Sequence, residues 1–270
     1  MAMADELRVV HMASLARSGE TLMLRTLAAH PAVHVVHDLH PTNSDAETKL
    51  FQLLRVWPLA TLPRWQASVA PGVQVLLVKQ GVYAMRGPFQ GFGLLRNPYA
   101  AFSSLWSYDA KLAGETPGAA INLHHWQQRR LPRLIAWADP TLPALVPALL
   151  AEQDPVQQFL AFWQARVAQV LRQCRTVVLY EDLVRDAQPV LEQVCRAAGL
   201  AFDPALLNAH QRFRPGQRGH GGMDLGQPIR PAPAWSVDPL VELAPFARAV
   251  DAGPVPAYRG LYRAVLRAAA

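Results

Sequence analysis

Val9-Val10-His11-Met12-Ala13-Ser14-Leu15-Ala16-Arg17-Ser18-Gly19-Glu20-Thr21-Leu22-Met23-Leu24 is the stretch that decides the fold. Val9 to Met12 is a short apolar run of strand type. From Leu22 onward the apolar residues Leu22, Met23, Leu24, Leu27 and Ala28 recur at helical spacing, so the chain must turn within Ala16-Arg17-Ser18-Gly19. In a strand, tight loop and helix, the free N–H groups of the first helical turn and the positive end of the helix dipole converge on one point, which suits an anion. Gly19 lets the backbone approach a phosphate closely, Thr21 offers a hydroxyl and Arg17 adds a full charge. The Walker pattern ending in Gly-Lys-Ser/Thr is absent. By spacing alone, an ordinary strand-to-helix turn with a capping serine accounts for the same residues.

Working outward, Val33 to Val36 is a second apolar run, leading into His37-Asp38-Leu39-His40-Pro41, and Thr42 to Val56 reads as a helix. Val73 to Lys79 is the clearest strand, and Phe92 to Leu95 another, ending at Arg96-Asn97-Pro98, where Asn97 suits an N-cap and Pro98 a first helical turn. Thr176 to Leu179 returns to strand pattern and stops at Tyr180-Glu181-Asp182. Val190, Leu191, Val194, Cys195 and Ala198 then mark an amphipathic helix closed by Gly199. Strands alternating with helices predict an α/β fold: an open parallel sheet with flanking helices and crossover connections. A helical insertion is expected over about 110–174, divided into short helices by Pro140, Pro143, Pro147 and Pro155. A Gly/Arg/Pro-rich surface loop is expected over about 211–233, followed by a short terminal helix near Tyr258 to Leu266. A chain of 270 residues with evenly spread apolar residues fits one domain over 1–270.

The formal charge of +6 and pI of about 9.7 admit a nucleic acid, an anionic surface or a phosphorylated small molecule as partner. Lys supplies only three of the 26 basic residues, and the Arg residues are scattered, which argues against nucleic acid and suits bidentate phosphate capture. No run of eighteen apolar residues occurs and the N-terminus has no leader pattern, so a cytoplasmic protein without a membrane span is expected. Cys174 and Cys195 have neither disulfide nor metal spacing and read as buried thiols.

Arg17-Ser18-Gly19-x-Thr21-Leu22-Met23, followed by Ala29-His30-Pro31-x-Val33, resembles the 5′-phosphosulfate loop and first helix of the sulfotransferases, and most closely their carbohydrate, protein-tyrosine and bacterial branches. Leu94-Leu95-Arg96-Asn97-Pro98 with Ser104 is similar to the family's 3′-phosphate motif. Val178-Leu179-Tyr180-Glu181-Asp182-Leu183 resembles the segment whose Tyr packs near the adenine, and Arg214-x-Gly216-x-x-Gly219 the C-terminal loop that closes over the nucleotide, although His220-Gly221 replaces the usual aspartate-tryptophan pair. The segments come in the family's order over 17–219. The resemblance implies a P-loop NTPase-like fold and transfer of a sulfuryl group from 3′-phosphoadenosine 5′-phosphosulfate (PAPS), with release of adenosine 3′,5′-bisphosphate (PAP). It also implies that Arg17, Ser18, Gly19, Glu20, Thr21, Leu22, Arg96, Ser104, Tyr180, Arg214 and Gly216 bind the nucleotide, and that no metal takes part.

Displacement of a sulfuryl group leaves a 5′-phosphate that gains charge in a loose, in-line transition state, so cations and backbone donors there lower the barrier. Arg17 is the first candidate cation. Lys79, at a strand's C-terminal end where open sheets bind ligands, is the second, against the plain reading of a solvated lysine. The acceptor needs a base: Asp38 matches by offset the glutamate of the protein-tyrosine branch, with a shorter side chain, and His37 is its competitor, facing the other way on an extended segment. His34, His37 and His40 have helical spacing on an extended segment, which disfavours zinc. Glu20 stands where the family places a small hydroxyl, and its carboxylate is expected to turn from the phosphate or pair with an Arg. Trp126, Trp137 and Trp163 read as core, and Gln127-Gln128-Arg129-Arg130 as a solvated helix face. The acceptor is left as a small molecule, a saccharide or a tyrosyl group, and a homodimer is left open. Two other functions share these residues: a phosphoryl transferase or kinase of similar fold, and a non-catalytic basic module for nucleotides or polyanions.

Overall fold

A computed structural model describes residues 7–36, 70–80, 90–139, 141–218, 223–229 and 237–269. The run that opens the chain forms strand β1 (Arg8–Ser14) and helix α1 (Glu20–Leu27) around the tight loop. Strands β2 (Val33–Val36), β3 (Val75–Gln80), β4 (Gly91–Leu95) and β5 (Thr176–Leu179) join β1 in one sheet of order β2-β3-β1-β4-β5, every pair parallel. Their Val- and Leu-rich composition without polar alternation is that of strands covered on both faces.

Each face has its own apolar layer. Val10, Met12, Leu77, Phe92 and Leu94 pack with Leu22, Met23 and Leu27 of α1 and with Leu191 and Val194 of the amphipathic helix Ala187–Ala197. On the other face Ala13, Leu15 and Leu95 pack with Phe102, Trp126, Phe159, Trp163, Phe246 and Tyr258. The odd and even residues of β1 thus serve two different cores, as strand alternation requires.

Between β4 and β5 the described chain is mainly helical, beginning with helix α2 (Pro98–Trp106), whose Ala100 N–H donates to the Asn97 side-chain Oδ1 at 2.8 Å. Helix α3 (Tyr108–Leu112) follows, then α4 (Ala119–His125), which continues through a π-helical turn at Trp126–Arg130 into Leu131–Ala136. The division by prolines needs two corrections, the first being that Pro147 lies within the first turn of the helix Leu145–Ala151 rather than between helices. Pro155 opens, rather than interrupts, a helix of 19 residues, α5 (Pro155–Gln173), because it sits in the first turn, where its missing N–H costs nothing. Helix α6 (Ala244–Asp251) was not foreseen; its Pro245 also lies in the first turn. The terminal helix begins at Arg263, later than expected. The expected helix over Thr42 to Val56 lies outside the described residues. Cys174 and Cys195 are buried and free, and burial pushes their thiols up to about 12 and about 11.

Candidate functional site

Because every strand is parallel, the segments after β1, β3, β4 and β5 emerge at one edge of the sheet, where open α/β sheets bind ligands. Register puts Met12 beside Lys79 and Ser14 beside Leu94, so the loop after Ser14 is flanked by Lys79 on one side and Arg96 on the other. The loop is held in a left-handed conformation at both Arg17 (φ 71°) and Gly19 (φ 91°). Gly19 admits no side chain: a Cβ there would lie 2.2 Å from Cδ2 of Tyr180. Glu20, Thr21 and Leu22 open α1, and their N–H groups have no partner within the helix.

Two expected phosphate sites meet here. Arg17 Nε donates to Ser104 Oγ at 3.0 Å, and an Arg96 guanidinium N–H donates to the Arg17 carbonyl at 3.0 Å. The Arg96 guanidinium lies 4.5 Å over the Tyr180 ring, and that of Arg17 4.4 Å over the Tyr108 ring. Ser18 Oγ and Arg96 Nε are buried without a hydrogen-bond partner. Both are donor groups, one in the loop itself and one on the arginine bonded to it. Burial pulls the Arg17 guanidinium down from its usual value; Tyr108, Glu20 and Asp109 push it back up, and neighbouring Arg96 again lowers it.

Glu20 turns inward, to a lysine rather than to an arginine. Its Oε2 accepts the Arg17 N–H at 3.1 Å, its Oε1 accepts the Ser14 hydroxyl at 3.2 Å, and Lys79 Nζ is 3.4 Å from Oε1. Behind this cluster Arg166 of α5 donates to the Ser14 carbonyl at 3.2 Å; burial lowers its guanidinium to about 10, so it stays charged at neutral pH.

Thr21 is half-buried in the first turn of α1, whereas the Leu22 side chain is in the core, which leaves only its backbone for a ligand. Arg214 and Gly216 lie on an exposed turn closed by the Gln217 N–H on the Arg214 carbonyl at 2.9 Å. Among the described residues no hydrogen bond or ion pair joins that turn to Arg17, Arg96 or Ser104. His37 and Asp38 lie outside the described residues.

Several residues of the site were not foreseen. Arg130, expected on a solvated face, is only 4% exposed and donates to Asp109 at 2.8 Å, with its guanidinium 5.9 Å over Tyr108, so the Tyr108 ring meets two guanidiniums. Gln127, Gln128 and Arg129 are exposed as expected. Asn122, Trp126, Arg130 and Leu134, at intervals of four, are all buried. That four-residue rhythm was the available signal, hidden because two of its members are polar and the partner of Arg130, Asp109, lies 21 residues earlier in the sequence. Glu181 is a brace: Asn97 donates to its Oε1 at 2.9 and 2.7 Å, and Tyr258 donates to its Oε2 at 3.1 Å. Trp126 and Trp163 are core, as read, and Trp137 is half-buried.

No protein-family model matches the chain, and no curated protein matches it. Solved structures do. The sulfotransferase domain of the Synechococcus PCC 7002 olefin synthase matches with 18% identity and a TM-score of 0.43, covering 84% of this chain and 86% of that one. The sulfotransferase from Alicyclobacillus acidocaldarius matches with 16% identity and a TM-score of 0.36, covering 74% and 89%. The sulfotransferase domain of the curacin biosynthetic pathway matches with 19% identity and a TM-score of 0.46, covering 93% of each chain, so what this chain is similar to is, in each of these three cases, a sulfotransferase or a sulfotransferase domain.

Proposed function

We propose that the chain is a PAPS-dependent sulfotransferase acting on an acceptor hydroxyl or amine. The observation that carries this reading is the joining of Arg17 to both Ser104 and Arg96 in one hydrogen-bonded unit at the sheet edge. Two anion-binding groups within one hydrogen-bonded unit suit a ligand with phosphate at both ends. The buried, unpartnered Ser18 Oγ and Arg96 Nε fit such a ligand, since each unmet buried donor costs about 1–3 kcal/mol until a partner arrives.

In this reading Arg17 and the first-turn N–H groups of α1 hold the 5′-phosphate, Arg96 and Ser104 hold the 3′-phosphate, and Tyr180 packs against the adenosine. Arg214 and Gly216 contribute from the C-terminal turn. Bound PAPS supplies the activated sulfuryl group. Arg17 and Lys79 stabilise the charge that develops on the leaving 5′-phosphate oxygen as its bond to sulfur breaks. The acceptor proton passes to Asp38, with His37 as the competing base. The acceptor is a small molecule, a saccharide or a tyrosyl side chain.

The test is transfer from labelled PAPS to pools of those three acceptor classes, with labelled ATP in parallel to detect a phosphoryl transferase. We expect transfer from PAPS alone. Arg17→Ala should lower it by at least about 100-fold. Asp38→Asn should cost about 100-fold to 10,000-fold in turnover while nucleotide binding is retained. Full activity in Asp38→Asn would move the base to His37; absence of PAP binding would end the reading.

A further inference from the structure

Glu20 is the single acidic residue between Leu7 and His37, and it stands within the phosphate loop. It is 7% exposed. Its carboxylate gathers donors from three places: the N–H of Arg17 in the loop (3.1 Å), the hydroxyl of Ser14 at the end of β1 (3.2 Å) and the ammonium of Lys79 on β3 (3.4 Å). Two of these, the loop N–H and the lysine, are groups that an incoming phosphate would recruit. Meanwhile Ser18 Oγ in the same loop and Nε of Arg96, which is bonded to the Arg17 carbonyl, are buried and have no partner. The site therefore has unmet donors for a ligand beside donors already engaged by a carboxylate of its own.

We infer that Glu20 is a built-in counter-anion of the phosphate site, which competes with the ligand for the Arg17 N–H and Lys79 and opposes its charge, so that nucleotide is held more weakly and product is released faster. This rests on the nucleotide reading above. A rival role exists and predicts the opposite sign. Glu20 sits in the first turn of α1 and reaches back three residues to a backbone N–H, as in a capping box, so it could serve only as a brace. If it were only a brace, removing its charge would loosen the loop and weaken binding. If it is a counter-anion, removing its charge strengthens binding.

The experiment is calorimetric titration of PAP into the wild-type protein, Glu20→Gln and Glu20→Ala, with the melting temperature of each recorded without nucleotide. Gln keeps an oxygen for the Arg17 N–H and the Ser14 hydroxyl but carries no charge; Ala removes both. A unit charge a few ångströms from a phosphate, at an effective dielectric constant near 20, is worth at least about a tenfold change in affinity. We expect Kd for PAP to fall by that factor in Glu20→Gln and in any Glu20→Ala that folds, with tighter inhibition by PAP in turnover assays. An unchanged or raised Kd in a folded variant overturns the inference, and so does failure of both variants to fold, which would establish the brace. If PAP binds none of the three proteins, the nucleotide reading falls on its own. Thermal protection by inorganic pyrophosphate then decides the point: greater protection of the variants than of wild type upholds the counter-anion, and equal or lesser protection rejects it.

Discussion

Arg17 is the only residue other than glycine with a positive φ among the described residues, at 71°. The left-handed conformation costs an L-residue about 1–2 kcal/mol, and such strain persists only where the surroundings enforce it. Here the Arg17 N–H is held by Glu20 and its carbonyl by Arg96, one on each side of the strained Cα. Comparing two substitutions separates the strain from the side chain's role. Arg17→Ala and Arg17→Gly both lose the bond to Ser104 and should both lose nucleotide binding. Glycine relieves the strain but adds about 0.5–1 kcal/mol of entropy to be lost on folding. We therefore expect Arg17→Gly to equal or exceed Arg17→Ala in stability by up to about 1 kcal/mol, read from urea unfolding. A glycine variant clearly less stable than the alanine one would mean the backbone at 17 is unstrained. At this scale the sequence was informative where the chemistry is local: a loop between strand and helix announces Arg17, Ser18 and Gly19 by spacing. It was silent on Arg130, whose partner Asp109 lies 21 residues earlier, and on the turn of Glu20 toward Lys79, which depends on how β1 and β3 pair.

Helix α1 does more than present its N-terminus. Arg25, buried in its last turn, donates from one guanidinium nitrogen to the carbonyls of Leu225 and Gln227, each at 2.7 Å. Residues 223–229 are bonded in turn to the Arg214–Gln217 turn through the Leu225 N–H on the Gln217 carbonyl at 2.8 Å and the bridge between Arg218 and Asp224. The helix that follows the Arg17–Gly19 loop thus straps down the segment that bears Arg214 and Gly216. Arg25→Met keeps the apolar stem and removes the charge. With hydrogen bonds from a charged group worth about 1.5–3 kcal/mol, we expect a stability loss of about 2–3 kcal/mol. Limited trypsin digestion after Arg218, which Gly219 follows, should also quicken at least about tenfold, since cleavage follows the population of the opened segment. Unchanged digestion would show that the strap does not hold the turn. Element by element, the strands and α1 were legible because their apolar periods are clean. α6 was not, because proline and glycine around its short sequence resemble a loop and its burial is settled by Tyr99 and Phe102 from α2, whose rings lie 5.3 and 5.5 Å from Phe246.

At the scale of the whole molecule, the order β2-β3-β1-β4-β5 creates the site, because it makes β1 central and brings Lys79 and Arg96 to either side of its loop. Alternation of strands and helices foretold a parallel sheet, but the order of its strands depends on pairings between distant segments that no local pattern records. A central strand also exposes its own residues to burial, and His11 shows the consequence. It lies on the face of β1 opposite Val10 and Met12, and burial lowers its pKa from 6.5 to about 4. The folded protein therefore keeps His11 neutral at pH values where the unfolded chain protonates it. Between about pH 6.5 and 4 the unfolded state binds more protons, so the contribution of His11 to stability is whole above that range and is lost as the pH falls through it. With each tenfold change in proton affinity worth about 1.4 kcal/mol, the loss from this residue between pH 7 and 5 is about 1–2 kcal/mol. Carboxylates titrate over the same range, so the quantity to measure is the difference in urea unfolding free energy between wild type and His11→Gln at pH 7, 6 and 5. Glutamine has no proton to gain, and we expect the difference to move in favour of the variant by about 1–2 kcal/mol across that interval. Parallel pH profiles would show instead that the imidazole takes up its proton in the folded sheet as readily as in the unfolded chain.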